Sequence, residues 1–394
     1  MSMNNTPSSE RVHIGIFGKR NAGKSSIINA ITGQNLAIVS DVKGTTTDPV
    51  LKAMELLPLG PVVMIDTPGL DDDGELGELR VKRAYQMLNK TDIALLVVDA
   101  GIGMTSEDER ILERIQAKKI PYLVVMNKSD LCQSERTEQD TIYVSAKTGK
   151  NIFELKEKIA EQAKPEESDK KIVGDLLQPM DFVILVIPID SAAPKGRIIL
   201  PQQQTLRDIL DADAVAIAVK ETELADTLEK LERKPKLVIT DSQAFGMVSR
   251  IVPRDVKLTS FSILMARYKG DLQAVVQGAR TLDLLEDGDT VLISEGCTHH
   301  RQCDDIGTVK LPNWVRRHTN KEIQFVYTSG TEFPDDLSKY RLVIHCGGCM
   351  LNEREVKYRM KCAQDQGVPM TNYGIAIAHM NGILARSIEP FPNV

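Results

Sequence analysis

Short apolar runs alternate with longer polar segments over most of the chain, and this pattern predicts its elements. Between Val12 and about Ala163 the apolar runs are VHIGIFG, VVMID, IALLVVDA, YLVVMNK and TIYVSA. The polar segments between them, such as 106–118, are long enough to form helices. Continuous apolar runs separated by helical segments are typical of parallel strands covered by helices. The N-terminal part is therefore predicted to be a parallel α/β domain.

The same alternation returns twice after a charged stretch, AKPEESDKK, that we interpret as a linker. The second series contains DFVILVIPID, AVAIAVK and PKLVITD, and the third contains DTVLISEGC, EIQFVYTSG and RLVIHCGGC. A chain of 394 residues exceeds the size of a single core. We predict an N-terminal domain over 1–165, followed by two smaller α/β domains with mainly parallel sheets over 172–268 and 269–394.

Composition narrows the classes of function. The formal net charge is -6, and no apolar run approaches the about 20 residues that span a bilayer. An acidic chain lacks the basic surface that favours nucleic-acid binding. We therefore expect a cytoplasmic protein with no membrane or nucleic-acid partner. Six cysteines are too few for a disulfide framework, and four of them fall between Cys297 and Cys349, which favours metal or redox chemistry.

A glycine-rich loop follows the first apolar run. Gly18, Gly23, Lys24 and Ser25 have the spacing of a phosphate-binding loop, and the helix-compatible segment SSIINAIT comes next. The glycines let backbone N–H groups close around phosphates at a helix start. Lys24 offers a charge to the β- and γ-phosphates, and Ser25 offers a ligand to Mg²⁺. The predicted phosphate site consists of Gly18, Asn21, Ala22, Gly23, Lys24, Ser25 and Ser26.

Three further motifs stand where strands are predicted to end, which is the ligand edge of an open α/β sheet. They are DTPG from Asp66 to Gly69, NKSD from Asn127 to Asp130, and SAK from Ser145 to Lys147. Together with the glycine-rich loop they resemble the boxes of Ras-like P-loop GTPases over roughly the first 165 residues. This resemblance implies GTP or GDP as the nucleotide, because the family's fourth-box aspartate, here Asp130, takes the guanine N–H groups.

The same resemblance implies roles for the neighbouring residues. Asn127 and Lys128 would orient and cover the base, and the Ala146 backbone would meet the guanine oxygen. VKGTTTDP resembles the second box of GTPases related to the tRNA-modifying protein MnmE, which implies that Thr46 binds Mg²⁺. In cation-activated members an asparagine at the position of Asn21 helps to bind K⁺. The expected catalytic residues are Lys24, Thr46 and Gly69.

The expected hydrolysis is slow. Ras-like enzymes have a catalytic glutamine after the third box, whereas this chain has Leu70. Another group must then position the attacking water. The acidic residues within 71–75 are candidates for that role, although a solvated charge run explains them as well.

A cluster of soft ligands follows two apolar runs of the third series. Cys297 and His299 come after DTVLIS, and His345, Cys346 and Cys349 come after RLVI. If both strands are parallel in one sheet, their carboxyl ends share an edge and the two sets converge. Three thiolates with imidazoles suit either tetrahedral zinc or an iron–sulfur cluster.

The spacing C-x-H followed much later by H-C-x-x-C, on the same chain as a GTPase, resembles the HydF family of [FeFe]-hydrogenase maturation GTPases. The resemblance implies a middle dimerisation domain, a homodimer, and a C-terminal domain with a [4Fe-4S] cluster on Cys297, Cys346 and Cys349. It implies a scaffold or carrier that delivers the diiron subcluster to the apo-hydrogenase, with the radical SAM proteins HydE and HydG as partners. His299 and His345 match the motif's histidines. The fourth iron ligand stays open among those histidines, Asp304, Asp305 and an exogenous group.

Two other functions fit parts of the pattern. The kinship of the GTPase boxes favours a GTP-dependent RNA-modification or ribosome-assembly factor, with structural zinc on the cysteines. The C-x-x-C pair of Cys346 and Cys349 is also compatible with a dithiol redox sensor. The other cysteines are interpreted as structural thiols, and His379 as a packed residue near the C-terminus.

Overall fold

The chain folds as two compact units, Met1–Ser168 and Asp169–Val394. The structure is a computed structural model, and it describes residues 6–33, 49–69, 81, 83–132, 140–163, 170–189, 198–296, 306–330 and 332–391. Thr46, Leu70 and residues 71–75 lie outside these ranges, as do Cys297, His299, Asp304 and Asp305.

One six-stranded sheet organises the first unit, with the strand order β2-β3-β1-β4-β5-β6. The strands are β1 Val12–Phe17, β2 Val50–Leu56, β3 Gly60–Asp66, β4 Ile93–Asp99, β5 Tyr122–Asn127 and β6 Thr141–Tyr143. All neighbouring pairs are parallel except the edge pair β2–β3, which is antiparallel. The α-helices that lie wholly within the described residues of this unit are α1 Lys24–Thr32, α2 Ser106–Ala117 and α3 Ile152–Gln162.

Both faces of this sheet are covered, because successive strand residues point to opposite sides. Along β4, Ile93 and Leu95 belong to the core under α1 and α3, while Ala94 and Leu96 belong to the core under α2. This double burial explains why the strands read as continuous apolar runs. It leaves the loops at the carboxyl edge free to form a site.

Two four-stranded sheets organise the second unit, with the orders β10-β9-β7-β8 and β12-β11-β13-β14. The first contains β7 Phe182–Val186, β8 Val215–Val219, β9 Leu237–Thr240 and β10 Lys257–Ser260. The second contains β11 Thr290–Ser294, β12 Gln324–Thr328, β13 Leu342–His345 and β14 Met370–Asn372. Every pairing in both sheets is parallel.

Helices surround and join these two sheets. They are α4 Leu200–Asp211, α5 Leu224–Lys230, α6 Phe245–Ile251, α7 Phe261–Lys269, α8 Leu272–Ala279, α9 Leu311–Thr319, α10 Glu353–Asp365, α11 Tyr373–Met380 and α12 Leu384–Ile388. One hydrophobic cluster contains Val183 and Leu185 of the first sheet together with Leu292 and Val343 of the second. The two sheets therefore share a core and pack as one unit.

The predicted architecture is confirmed: an α/β unit with a mainly parallel sheet is followed by α/β segments with parallel sheets. The antiparallel edge strand β2 is an addition to the expected pattern. The division of residues after 172 into two domains stays a prediction, since the structure groups them in one unit. Among the described residues, no helix is both long and apolar enough to cross a membrane.

Candidate functional site

The glycine-rich loop lies between β1 and α1, as the sequence predicts. Its backbone takes positive φ at Gly18 (141°), Asn21 (61°) and Gly23 (96°). A Cβ on Gly18 would lie 2.2 Å from the Val97 carbonyl oxygen, and one on Gly23 would lie 2.2 Å from Asn127 Nδ2. Both glycines are therefore required by space as well as by conformation.

Lys24 is buried and held inside this loop. Its Nζ donates hydrogen bonds to the carbonyl oxygens of Gly18 (2.9 Å) and Lys19 (2.8 Å). The ammonium group therefore already lies where the β- and γ-phosphates of a nucleotide are expected. A phosphate offers this charge a stronger, charge-assisted partner than two neutral carbonyls do.

Asp66 ends β3 close to the start of α1. Burial raises the pKa of its carboxyl group, while Lys24, Lys52 and a hydrogen bond with the Ser25 side chain act in the opposite direction. The Ser25 hydroxyl and the Asp66 carboxylate are thus adjacent. Both are hard oxygen ligands of the kind that Mg²⁺ prefers. Gly69 follows three residues later, at the end of the described segment.

The loop after β5 joins the phosphate loop to the loop after β6. Asn127 Nδ2 donates to the Ala22 carbonyl oxygen (3.0 Å), and Asn127 Oδ1 accepts from the Ala146 N–H (3.1 Å). Ser145 Oγ donates to Asp130 Oδ1 at 2.6 Å, and this bond is the main reason that the pKa of Asp130 lies below its ordinary value. Three of the predicted motifs therefore meet at one edge of the sheet.

The base-covering positions also lie at this edge. Lys128 has a left-handed backbone (φ 64°), and its Nζ donates to Asp99 Oδ2 at 2.6 Å. Lys147 is exposed and acts to lower the pKa of Asp130. Asp99 did not feature in the predicted site, although its position at the carboxyl end of β4 is a usable signal.

The second candidate site lies at the carboxyl edge of the last sheet. Strands β11 and β13 are parallel neighbours in which Ser294 is paired with His345. The predicted adjacency of these two strand ends is therefore present. Cys346 and Cys349 follow β13 and are both half-buried. The first half of the motif, with Cys297 and His299, begins just beyond Gly296 and lies outside the described residues.

The sulfur of Cys346 accepts two backbone hydrogen bonds. Gly296 N–H lies 3.1 Å from Sγ, and Gly348 N–H lies 3.4 Å from it. Burial raises the pKa of this thiol, and the two N–H donors act against that rise. N–H donors to sulfur tune thiolates that hold iron–sulfur clusters, so Cys346 is placed in a suitable environment.

A buried lysine organises the loop that carries Cys349. Lys269, the last residue of α7, donates through Nζ to the carbonyl oxygens of Gly348 (3.3 Å), Cys349 (3.2 Å) and Leu351 (2.9 Å). Burial raises the pKa of the Cys349 thiol, and the Lys269 charge opposes this. Because Lys269 binds three carbonyl oxygens within residues 348–351, it fixes the path of the C-x-x-C loop.

His345 lies beneath this loop with both ring nitrogens engaged. Nδ1 lies 2.7 Å from the Cys346 carbonyl oxygen, which only accepts, so Nδ1 carries the proton. Nε2 lies 3.2 Å from Arg359, which only donates, so Nε2 accepts. Burial, assisted by the Arg359 charge, lowers the pKa of His345 to about 3. Direct metal binding by His345 would require the ring to give up one of these partners.

Arg359 is fully buried and lies beside His345, beneath the cysteine loop. It donates to Glu355 Oε1 (3.0 Å), to Ser294 Oγ (3.2 Å) and to the Gly330 carbonyl oxygen (2.7 Å). The guanidinium therefore connects β11, β13 and α10 while its charge is balanced by Glu355. Neither Arg359 nor Lys269 belongs to the predicted site, since an isolated cation on a helix gives no signal in sequence.

Two family models match the second unit. The hydrogen maturase F dimerization domain matches residues 172–270, and the hydrogen maturase F tetramerization domain matches residues 273–390. Together they span more than half of the chain. The chain belongs to the hydrogen maturase F family. A third model, that of the 50S ribosome-binding GTPases, matches residues 13–128 of this family member.

Individual relatives match its GTPase part. The tRNA modification GTPase MnmE of Nitrosomonas eutropha is 38% identical over 149 residues, which cover 36% of this chain and 33% of that protein. GTPase Der of Wolinella succinogenes is 36% identical over 165 residues, which cover 38% of this chain and 35% of that protein. The chain thus spans about a third of the length of these relatives.

A solved structure of Era in complex with MgGDPNP and a segment of 16S ribosomal RNA is also similar. It aligns with a TM-score of 0.35 and 22% identity, over 53% of this chain and 91% of that chain. The GTPase prediction is confirmed by the family model and the relatives: the first unit is a GTPase domain that takes GTP or GDP with Mg²⁺. The second unit carries the oligomerization domains of the hydrogen maturase F family.

Proposed function

We propose that this chain is a GTP-dependent scaffold that binds a [4Fe-4S] cluster and carries or assembles the diiron subcluster of [FeFe]-hydrogenase for the apo-enzyme. HydE and HydG would be its upstream partners, as for the family in general. In this proposal, residues 172–268 mediate dimerisation and residues 269–394 hold the cluster. The observation that carries it is the parallel pairing of β11 with β13, together with the hydrogen bond from Gly296 N–H to Cys346 Sγ.

The proposal extends to a third cysteine at the same edge. Cys297 follows Gly296 directly, so their Cα atoms are about 3.8 Å apart. Gly296 N–H contacts Cys346 Sγ at 3.1 Å, and this contact supports Cys297, the next residue in the chain, as the third ligand. Cys297, Cys346 and Cys349 are therefore the proposed ligands, and His299, Asp304 and Asp305, which lie close to Cys297 in the sequence, are candidates for the fourth iron.

The donor set suits this group. Three thiolates can hold a [4Fe-4S] cluster, which when bound supplies electron transfer and one iron with an exchangeable ligand. The chain's own residues orient the thiolates: Gly296 and Gly348 donate to Cys346, and Lys269 fixes the carbonyls around Cys349. In this scheme His345 and Arg359 support the loop from below and do not ligate iron.

The second part of the proposal concerns the nucleotide site of the first unit, which would act as a switch. Lys24 and the loop N–H groups would bind the phosphates, Ser25 and Thr46 would ligate Mg²⁺, and Asn21 would assist a stimulating K⁺ ion. The loop after Asp66, including Gly69, would respond to the γ-phosphate. A nucleotide alters the cluster end only if it binds two conformations unequally, and partner association or release is the proposed result. The residues proposed for the base and its loops are Asn127, Lys128, Asp130, Ser145, Ala146 and Lys147.

Iron loading tests the cluster half of the proposal. Full-length protein purified and reconstituted without oxygen should contain about four iron atoms per chain and show the visible absorbance of an iron–sulfur cluster. Cys346→Ser should lose both signals. Cys362→Ser is the matched control, since Cys362 lies on α10 in the same unit, and it should retain both. A colourless parent protein that holds zinc would overturn the cluster assignment.

A second candidate function rests on the relatives of the GTPase domain. One of them is named a tRNA modification GTPase, and the similarity covers 36% of this chain. An RNA-linked factor with a structural zinc ion on the cysteines would follow from that kinship. The same metal analysis separates the two candidates, because this second one requires zinc in the parent protein and no iron.

A further inference from the structure

Three metal-binding side chains meet on the surface of the second unit and take part in neither site described above. Asp283 Oδ1 lies 2.8 Å from His318 Nε2, and Asp283 Oδ2 lies 2.8 Å from His379 Nε2. The two imidazole rings are edge-on, with centroids 5.8 Å apart. One ligand atom from each of the three residues lies within 4.8 Å of the other two.

These distances are close to those of a coordination shell. Zinc binds imidazole nitrogen and carboxylate oxygen at about 2.0–2.2 Å, which places ligand atoms of a tetrahedral site about 3.3 Å apart. The separations here, from 2.8 Å to at most 4.8 Å, bracket that value. Both histidines already aim Nε2 at the carboxylate, so only a proton shift to Nδ1 is needed to expose the two lone pairs to an ion.

The three residues are held by packed elements. His318 lies in the last turn of α9, His379 in the last turn of α11, and Asp283 in a short 3₁₀ turn at 280–284. Buried Val315 and Ala376, from the same two helices, belong to one hydrophobic cluster. Ligands on packed helices keep their positions better than ligands on loops, so the arrangement is prepared before an ion arrives.

The local charge favours a cation. Both histidines lie at helix carboxyl ends, where the backbone carbonyls present negative charge. Burial acts to raise the pKa of Asp283, but the hydrogen bonds from the two imidazoles hold it below its ordinary value, so the carboxylate is charged at neutral pH. Arg316 on the same turn of α9 opposes a cation, yet its side chain lies over the Phe325 ring and donates to the Ile323 carbonyl oxygen.

We propose that Asp283, His318 and His379 form a binding site for a divalent transition-metal ion, of which zinc is the best match. Two imidazoles and one carboxylate suit zinc and its first-row neighbours, whereas Mg²⁺ and Ca²⁺ take oxygen ligands. Three protein ligands on an exposed surface leave at least one coordination position for water. This site is separate from the proposed cysteine site and does not depend on it.

Cobalt(II), a spectroscopic substitute for zinc, tests the proposal. The titration uses nucleotide-free, full-length chain in which Cys297, Cys346 and Cys349 are all replaced by serine, so that the proposed cluster thiols do not compete. One equivalent should bind with the weak visible bands of nitrogen and oxygen ligands and without sulfur charge-transfer bands. His318→Gln and His379→Gln should each weaken this binding by at least about tenfold, since each removes a ligand.

Two carboxylate variants complete the test. Asp283→Asn should weaken cobalt binding like the histidine variants, because it keeps the shape of the side chain but removes its charge. Asp287→Asn is the matched control, as Asp287 is an exposed carboxylate paired with Lys321 outside the site, and it should bind cobalt like the parent. The proposal is wrong if the parent binds no cobalt, or if its binding is unchanged in both histidine variants.

Discussion

The nucleotide site and the cysteine site lie at the same kind of place, the carboxyl edge of a parallel sheet, but they are built differently. At the nucleotide site the key contacts are made by the loops themselves, as when Asn127 joins Ala22 and Ala146. At the cysteine site the ligand loop rests on buried charges from distant segments, namely Lys269, Glu355 and Arg359. The first site is therefore specified by the motifs of the loops that form it, and the second by buried charges that lie outside its ligand loop.

This comparison predicts which substitutions change activity and which change the stability of the fold. A substitution in the nucleotide loops should change activity and leave the fold intact. A substitution in the buried charges under the cysteine loop should reduce the stability of the second unit itself. Four substitutions test this difference.

Arg359→Met should destabilise the second unit by about 3–5 kcal/mol, because it leaves Glu355 buried without its partner. Trp314 is the only tryptophan of the chain and lies on α9, so its fluorescence during urea unfolding reports on this unit. Lys361→Met, at an exposed position of the same helix, is the control and should change little. Adding Glu355→Gln to Arg359→Met should recover part of the loss. If Arg359→Met and Lys361→Met were equally stable, the comparison would be contradicted.

Lys24→Ala should reduce GTP hydrolysis by about 10²–10³-fold, the usual effect of losing one preorganised charged donor. Since Lys24 belongs to the first unit, urea unfolding followed by Trp314 fluorescence and the iron content should both stay as in the parent. Phosphate release and iron analysis on the same preparation provide the measurement. A loss of iron together with hydrolysis would show that the two sites are not independent.

Asp130→Asn should weaken GTP binding by about 10–100-fold, since hydrogen bonds to a charged acceptor contribute about 1.5–3 kcal/mol. The asparagine still accepts the Ser145 hydroxyl, so the loop should keep its shape. Titration with a fluorescent guanine nucleotide measures the change. Glu154→Gln, an exposed carboxylate on α3, serves as the control. Unchanged affinity in Asp130→Asn would remove the guanine-reading role from this residue.

Glu353→Gln should have the smallest effect and should depend on pH. Burial acts to raise the pKa of Glu353, but bonds from Lys170 and Lys357 keep it below its ordinary value of 4.5. The stabilisation is therefore complete above that value and is lost as the pH falls through the lowered folded-state pKa. Glu353 and its two lysine partners are partly exposed. Their bonds therefore contribute at most about 1 kcal/mol to the free energy of unfolding at neutral pH. If stability near pH 4 falls equally in variant and parent, these bonds do not contribute.

Much of the fold could be predicted from sequence because the doubly covered parallel strands leave continuous apolar runs. The run of β4 and the helix Ser106–Ala117, within the polar segment 106–118, are where the pattern indicates them. The antiparallel pairing of β2 could not be predicted in this way, since its residues are largely exposed and give no comparable apolar run. The shared core of the two later sheets could not be predicted either. Apolar periodicity indicates which face of an element is buried, but not which other element packs against it.

The nucleotide site and the cysteine site also differ in how far the sequence alone predicts them. The phosphate loop is a short motif whose glycines are required within a few residues of one another, so spacing alone identifies it. Lys269 and Arg359 act on a loop 80 and 14 residues away, respectively, and single cations on helices carry no spacing signal. Asp283, His318 and His379 come together only in three dimensions, which is why the sequence favoured simple packing for His379.

The common core beneath the two sheets of the second unit has a consequence for assembly. One sheet belongs to the segment matched by the dimerization model and the other to the segment matched by the tetramerization model, yet Val183 and Val343 lie in the same cluster. A close-packed protein interior resists sliding of one layer over another. A neighbouring subunit that displaces one sheet would therefore carry the other sheet with it, including the strand end before Cys346.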